Sequence, residues 1–152
     1  MNTVIIEIDA APEIVFSWLE VPEKLSQWLP NIQENEILEE TPERVGSTWR
    51  QVYVENGRRM EMFGTTTAYE PNKRNSCEIT GKLFDLNIDY FLEDLGGRTR
   101  LTQNSVIKMK GIFKLLSFFM GSSMKKSQDK QAEDSFATLK RLAEDECTQR
   151  TV

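Results

Sequence analysis

The side chains that could move protons in this chain are carboxylates, tyrosines and lysines, because the sequence contains no histidine. That absence excludes Ser-His-Asp and Cys-His catalysis and any zinc site with a histidine ligand. The best remaining set for proton abstraction is Glu61 with Tyr53 or Tyr90, since Glu61 lies in the middle of a predicted strand, between two methionines. The pattern leaves open which face of that strand points inward. Glu61 therefore either reaches a cavity or faces water.

Metal binding finds little support in the residue pattern. The run Asp85–Asp89 resembles the start of a calcium loop, but Tyr90 stands where such a loop needs glycine and Gly96 where it needs glutamate. Its alternation with apolar residues indicates a solvated strand face instead. Cys77 and Cys147 are too few for a thiolate zinc site, and their separation favours two reduced thiols over a disulfide. We therefore expect no metal and no other cofactor.

The charge balance limits the partners of this chain. Lys and Arg number 19 against 24 Asp and Glu, which gives a formal net charge of −5 at pH 7. A nucleic-acid partner is not expected, because a basic face supplies most of the affinity for a phosphate backbone. Arg50, Arg58 and Arg59, near a predicted hairpin, either hold an anionic ligand or keep the sheet soluble, and the second role is the commoner one.

Stable membrane insertion is not expected either. The N-terminus has neither the basic nor the long apolar segment of a signal peptide, so we expect a cytoplasmic protein. The longest apolar stretch, Ile112–Met120, is interrupted by Lys114 and Ser117 and is far short of the ~20 residues that a membrane span needs. We interpret it as a lid over a cavity mouth rather than as a membrane-contacting patch.

The length of 152 residues predicts one domain with a substantial core. Alternation over Val4–Ile8 predicts a first strand, and Pro12 is typical of the first turn of a helix. A second short helix is expected over Glu23–Trp28, because Pro22 and Pro30 bound it. A period of two then predicts six strands, at residues 33–40, 47–55, 58–70, 75–81, 84–94 and 98–110.

Turn residues indicate that these strands form an antiparallel meander. Asn56-Gly57 is a strong hairpin signal, since type I′ turns need two positive φ values, and Gly96-Gly97 is a second one. One face of strand 84–94 is apolar and carries Phe84, Leu86, Ile88, Tyr90 and Leu92. Basic residues share one face of strand 98–110, so the inward face carries Thr99, Leu101, Gln103, Ser105, Ile107 and Met109.

The C-terminal part returns to a helical period. Residues 112–120 are predicted as a helix and Gly121–Ser123 as an interruption or cap, after which a long helix continues to about Asp145. Ala132 is small, and a buried amide at Gln128 needs a polar partner. We therefore predict a cavity under residues 124–132, unless Gln128 reaches solvent at the helix edge. The apolar face of this helix carries Met124, Ala132, Phe136, Leu139, Leu142 and Ala143.

The order of the elements, together with several short motifs, resembles one superfamily. The motifs are Ala11-Pro12-Glu13-x-Val15-Phe16-x-Trp18-Leu19, Trp28-x-Pro30, Val45-Gly46-Ser47-x-Trp49-Arg50, Tyr69-Glu70-Pro71, Gly97-Arg98-Thr99-Arg100-Leu101-Thr102 and Leu139-Lys140-x-Leu142. In this order they resemble the START-like (SRPBCC) superfamily and its polyketide cyclase/dehydrase-type branch. The resemblance implies an α+β helix-grip fold: a strand, two short helices, a six-stranded antiparallel meander and a long C-terminal helix packed over a curved sheet. It also implies a cavity for hydrophobic small molecules between sheet and helix.

We therefore expect a single START-like ligand-binding domain over residues 1–146, with residues 147–152 as a tail, in a monomer or homodimer. The expected function is binding, including transport or sequestration, of a small hydrophobic or amphipathic molecule. The alternatives are a cyclase-, aromatase- or hydrolase-like enzyme acting without histidine, and a protein-interaction module that uses the same groove. Trp28 and Trp49 fit either the cavity or the core, and Trp18 fits the core. The residues expected to contact the ligand are Trp28, Tyr53, Met62, Leu86, Ile88, Tyr90, Leu101, Gln103, Ser105, Met124, Gln128 and Ala132.

Overall fold

The structure, a computed structural model, describes residues 1–55 and 57–150, and the side chains of residues 113 and 115–129 lie outside that description. Seven strands and three helices follow one another in the predicted order within the described residues. They are β1 (Asn2–Ile8), α1 (Pro12–Glu20), α2 (Pro22–Trp28), β2 (Ile32–Glu39), β3 (Thr48–Glu55), β4 (Arg58–Glu70), β5 (Arg74–Thr80), β6 (Phe84–Asp94), β7 (Thr99–Met109) and α3 (Ile112–Arg150). The predicted α+β helix-grip architecture is confirmed.

The strands form one antiparallel sheet in the order β1-β7-β6-β5-β4-β3-β2. Five of the six pairings join strands that are consecutive in the chain, as a meander requires. Gly57 in the β3–β4 turn has a φ of 76°, a conformation that a residue without a Cβ adopts at little cost. Asn56, its partner in the predicted hairpin signal, lies outside the described residues.

The two short helices are joined to each other and to α3 through Trp28. Pro12 and Pro22 each stand in the first turn of their helix, where the missing N–H costs no hydrogen bond. The Trp28 Nε1 donates to the carbonyl oxygen of Trp18 at 2.8 Å, and its ring centre lies 5.6 Å from that of Phe136 on α3. Trp28 is only 1% exposed, so it belongs to the core.

The main cluster of buried hydrophobic side chains in the described part of the chain joins three strands of the sheet to all three helices. Its buried members come from β1, the segment leading into α1, α1, α2, β6, β7 and the C-terminal half of α3. The α3 side chains in it, Phe136, Leu139 and Ala143, recur at helical spacing and are each at most 3% exposed. The remaining members are Ile8, Ala10, Ile14, Val15, Phe16, Trp18, Leu19, Trp28, Tyr90, Leu92 and Leu101.

The C-terminal helix differs from the prediction in two ways. It is one continuous helix from Ile112 to Arg150, so Gly121–Ser123 neither interrupts nor caps it. A glycine inside a helix costs about 1 kcal/mol, which is too little to end a helix that propagates cooperatively on both sides. Residues 147–150 also continue the helix, and Cys147 packs partly against the core instead of lying in a tail. Across the part of the chain that is described, no helix has the length and apolarity needed to cross a membrane.

The position of Leu139 generates a stability prediction. Its side chain is fully buried in the core, so Leu139→Ala should lower the free energy of unfolding by about 2–5 kcal/mol through lost transfer energy and a residual cavity. Urea denaturation measures this loss. The exposed residue Gln131 on the same helix serves as the control, since Gln131→Ala should leave stability within about 0.5 kcal/mol of the parent. Equal effects of the two substitutions would contradict the packing described above.

Candidate functional site

A cavity of about 140 Å³ lies between the inner face of the sheet and the two short helices. Strands β2 to β6 form its floor and one wall, and the end of α1 with α2 covers it through Leu19, Leu25 and Leu29. The α2 helix starts only two residues after α1 ends, so both helices cross the sheet as one short lid. The loop between β2 and β3 completes the rim with Glu40, Arg44 and Ser47.

Two polar atoms in this cavity wall have no hydrogen-bond partner among the described residues. They are the Oε1 of Gln51 and the Nε1 of Trp49, both on β3 and both fully shielded from solvent. Gln51 as a whole is 5% exposed. Leaving a buried polar group unpaired costs about 1–3 kcal/mol, so a small rotation of either side chain that lets its polar atom pair with a ligand or water in the cavity would recover part of that free energy.

Three ionisable groups on the sheet side of the cavity are electrically neutral. Tyr53, Cys77 and Tyr90 lie close enough that the charge of one would disturb the others. Burial, with the nearby charge of Asp89 as the second cause, raises the pKa of Cys77 from 9.0 to about 12. Burial also raises the pKa of both tyrosines, with the Cys77 charge as the second cause. All three groups therefore stay protonated at neutral pH.

Charged groups are confined to the rim. The Tyr69 hydroxyl donates to Glu20 Oε2 at 2.7 Å, and burial, followed by this partner, raises the pKa of Tyr69 to about 12. Arg44 lies 5.6 Å from the centre of the Tyr69 ring and forms ion pairs with Glu20, at 4.0 Å, and with Glu40. Two carboxylates thus share the single guanidinium of the described rim, which leaves one excess negative charge there. The described lining offers no uncompensated positive charge to a ligand.

The cavity wall depends on a glycine opposite a tryptophan. Gly64 on β4 pairs with Trp49 on β3, and the indole lies across the glycine. A Cβ at position 64 would come within 2.2 Å of Trp49 Cε2, far inside van der Waals contact. The missing side chain therefore fixes where the Trp49 ring lies and, with it, the shape of the wall.

The structure brings together only some of the residues predicted to contact a ligand. Tyr53, Ile88 and Tyr90 line the cavity, and Trp49 does so as well. Gln103 and Ser105 lie on the inner face directly opposite Tyr90 and Ile88, but outside the described lining. Leu86 shares that face without lining the cavity, and Trp28 and Leu101 are core residues.

The predicted position of the cavity, under residues 124–132 of α3, falls largely on side chains outside the described residues. The described lining comes from α1, α2, the sheet and the β2–β3 loop, and Ala132, which is partly exposed, does not contribute to it. The side chains of Met124 and Gln128 lie outside the described residues. Among the described residues, the cover comes from the end of α1 and from α2, which the sequence showed only as a short segment between two prolines.

The catalytic set suggested by the sequence is not formed. Glu61 pairs across the sheet with Val52, on the outer face, whereas Tyr53 lies on the inner face with Met60 and Met62. Arg50 Nε donates to Glu61 Oε2 at 2.5 Å, on the same outer face. The interpretation of Arg50 as a residue that keeps the sheet soluble fits this placement. Among the described residues, no group of three or more Cys, Asp or Glu could hold a metal ion.

Gln51 and Tyr69 are cavity residues that the sequence reasoning missed. Gln51 lies two residues from both Trp49 and Tyr53 on β3, so the three side chains share one face of the strand. If either aromatic side chain is expected to point inward, the Gln51 amide is expected to do so as well. Tyr69 follows a β-bulge between Thr66 and Ala68, which changes the parity of β4 before it reaches Tyr69. No periodic signal could have placed Tyr69.

Comparison with known families identifies the chain. The family described as polyketide cyclase/dehydrase and lipid transport matches residues 3–144. The protein belongs to this family. No curated protein sequence gives a significant match to it.

Solved structures share the fold of this family member at low sequence identity. TTHA0849 from Thermus thermophilus superposes with a TM-score of 0.76 at 16% identity, covering 93% of this chain and 94% of that one. The Zhui aromatase/cyclase from a Streptomyces species gives 0.72 at 16% identity, covering 94% and 92%. Ara h 8.0201 gives 0.61 at 19% identity, covering 91% and 97%. At these identities the likeness establishes the fold alone.

The Trp49–Gly64 contact generates a second prediction. Gly64→Ala should lower the free energy of unfolding by about 1–3 kcal/mol, because the indole must move to admit the new methyl group. Urea denaturation measures the change, and adding Trp49→Ala should abolish it in a double-mutant cycle. Gly81→Ala is the matched control, since its Cβ would first meet the flexible end of Met62, at 3.0 Å. Additive effects of Gly64→Ala and Trp49→Ala would show that the two residues do not interact.

The raised pKa of Cys77 generates a prediction about alkaline pH. The thiol ionises near pH 9 in the unfolded chain and near pH 12 in the folded one, so stability is fully present below pH 9 and is lost as the pH rises toward 12. The slope from one such group is at most about 1.4 kcal/mol per pH unit. Urea denaturation at increasing pH should show a shallower decline in Cys77→Ala than in the parent protein. Parallel declines would show that folding does not raise the pKa of this thiol.

Proposed function

We propose that this protein binds a small, uncharged, hydrophobic or amphipathic molecule in the cavity beneath α1 and α2, without catalysing a reaction on it. The observation that carries the proposal is the pair of unpartnered atoms on β3, the Gln51 Oε1 acceptor and the Trp49 Nε1 donor. They stand in a wall that is otherwise largely aromatic and aliphatic. A ligand with one polar group and an apolar body matches both features.

The cavity's size and charge narrow the ligand further. An apolar protein cavity of about 150 Å³ holds a benzene-sized molecule, and this cavity has about 140 Å³. A ligand would therefore insert one ring or a short branched chain, with any larger part extending past the rim. The interior groups are neutral and the described rim carries one excess negative charge, so an anionic ligand would lose hydration there without gaining a counter-charge.

Binding is favoured over catalysis because the interior lacks a poised proton donor and acceptor. The pKa values of Tyr53, Cys77 and Tyr90 are all raised by burial, which makes these groups poor bases and poor acids near neutral pH. A cyclase-like activity is the second candidate, since Glu20 lies on the rim in a hydrogen bond with Tyr69. The family and the aromatase/cyclase neighbour are compatible with it. Turnover of a substrate that falls about a hundredfold in Glu20→Gln would favour this candidate.

The binding proposal predicts that 2-naphthol, a neutral fluorescent ring with one hydroxyl group, binds the native protein. Cys77→Phe should weaken binding by about tenfold or more by filling the cavity, which corresponds to about 1.4 kcal/mol. Cys77→Ala, which removes volume at the same position, should retain binding. Gln51→Leu should weaken binding by roughly threefold to tenfold, as expected for one lost hydrogen bond. Fluorescence titration gives all four affinities.

Glu61→Gln is the matched control, because it changes a polar side chain on the outer face of the neighbouring strand. It should leave the affinity for 2-naphthol unchanged. Circular dichroism establishes that each variant is folded before titration. Binding of 2-naphthol only at denaturant concentrations that begin to unfold the protein would overturn the proposal, as would an unchanged affinity in folded Cys77→Phe.

A further inference from the structure

A second and larger cavity, of about 660 Å³, opens where the β3–β4 hairpin extends past its neighbours. The pairing of β4 with β5 begins only at Phe63 and Thr80, so residues 58–62 are paired on the β3 side alone. The turn between β5 and β6, residues 81–83, and the end of β7 enclose the space beside this free edge. We call this space the hairpin notch.

The hairpin notch concentrates positive charge in an acidic protein. Its described lining contains four cationic side chains and a single carboxylate, although the chain carries a net charge of −5. The carboxylate, Glu61, is engaged by Arg50 at 2.5 Å. The four cations are Arg58, Arg59, Lys82 and Lys110.

Two of these cations are available to a ligand. Arg58 and Lys82 are exposed and form no hydrogen bond or ion pair with any described residue. Arg59 is joined to Glu34 at 3.1 Å, whereas Lys110 forms an ion pair with Asp85 at 2.8 Å and donates to the Gly81 carbonyl at 3.0 Å. Within the described lining, the notch thus has two anchored cations and two free ones.

The remaining wall of the hairpin notch is apolar. Met60 and Met62 come from the inner face of β4, and Leu83 and Phe84 come from the turn and the start of β6. Phe63 contributes a ring that is 45% exposed. Methionine side chains are flexible and adapt to irregular apolar surfaces, which suits an alkyl chain of variable shape. Cationic and apolar surfaces therefore meet in one concave site.

We propose that the hairpin notch binds an anionic amphiphile, with its carboxylate or other anionic head held by Arg58 and Lys82 and its alkyl chain against Met60, Met62, Leu83 and Phe84. The guanidinium group of Arg58 offers paired donors to a carboxylate, and the lysine adds a point charge. This site differs from the cavity beneath α1 and α2, which has a neutral interior. The cavity therefore favours an uncharged ligand and the hairpin notch an anionic one. The proposal for the notch does not depend on the proposed function of the cavity.

Isothermal titration with decanoate, butyrate and decanol separates the contributions of head and chain. Decanoate should bind at least about tenfold more tightly than either butyrate, which keeps the head, or decanol, which keeps the chain. Raising the salt concentration should weaken decanoate binding, because exposed charges are screened within about 10 Å at 0.1 M ionic strength. Equal affinity for decanoate and decanol, or for decanoate and butyrate, would overturn the proposal.

Variants then locate the decanoate site. The double variant Arg58→Gln/Lys82→Gln should weaken decanoate binding about tenfold or more, while decanol binding stays the same. Lys130→Gln/Arg141→Gln makes the same change in net charge at two exposed positions on α3 and should have no effect. These surface substitutions leave the core intact, and circular dichroism checks that both variants fold.

The 2-naphthol titration keeps the two proposals distinguishable. The notch variant should bind 2-naphthol normally, and Cys77→Phe should bind decanoate normally. Decanoate affinity that falls in Cys77→Phe, but not in Arg58→Gln/Lys82→Gln, would place decanoate in the cavity beneath α1 and α2 and overturn the notch assignment. Failure of the parent protein to bind 2-naphthol, with decanoate binding intact, would count against the proposal for the cavity beneath α1 and α2 and would leave the notch proposal unaffected.

Discussion

The packing of the C-terminal half of α3 against α1, α2 and the strands β1, β6 and β7 is the contact on which the rest of the structure depends. Leu139 and Ala143 are completely buried there, and the ring of Phe136 lies beside that of Trp28. Within the described residues, the core cluster takes no member from β2 to β5. Among the described residues, the large core cluster therefore lies over β1, β6 and β7, and β2 to β6 border the cavity.

The same contact decides what covers that cavity. Trp28 connects α2 to α1 through its hydrogen bond to the Trp18 carbonyl and connects both helices to α3 through Phe136. With this end of the lid anchored in the core, Leu25 and Leu29 extend over the inner face of β2 to β6. The lid and the core are thus one unit, and the cavity beneath it retains polar atoms, such as Gln51 Oε1, that no described residue pairs.

Charges on this protein are largely paired across the outer face of the sheet. Arg50 contacts Glu34 and Glu61 from neighbouring strands, and Arg100 contacts Glu7 and Glu93 in the same way. Each such exposed pair contributes only about 0–1 kcal/mol to the free energy of unfolding. The main effect of these pairs is therefore to keep the outer face of the sheet soluble. The hairpin notch departs from this pattern, because Arg58 and Lys82 face a concave apolar surface without a described partner.

The sequence by itself determined the order of the elements, the antiparallel meander, the inward rows of β6 and β7 and the family, because hydrophobic period and turn residues are local properties of the chain. It also determined that histidine chemistry is absent. Only the tertiary structure decided that Glu61 faces outward, since Met60 and Phe63 lie on opposite faces of β4 and make its period ambiguous until the register with β3 is known. Likewise, whether Trp28 belongs to the core, whether Trp49 lies across Gly64 and whether α2 covers the cavity depend on contacts between elements distant in the chain. No periodicity along a single strand or helix encodes such contacts.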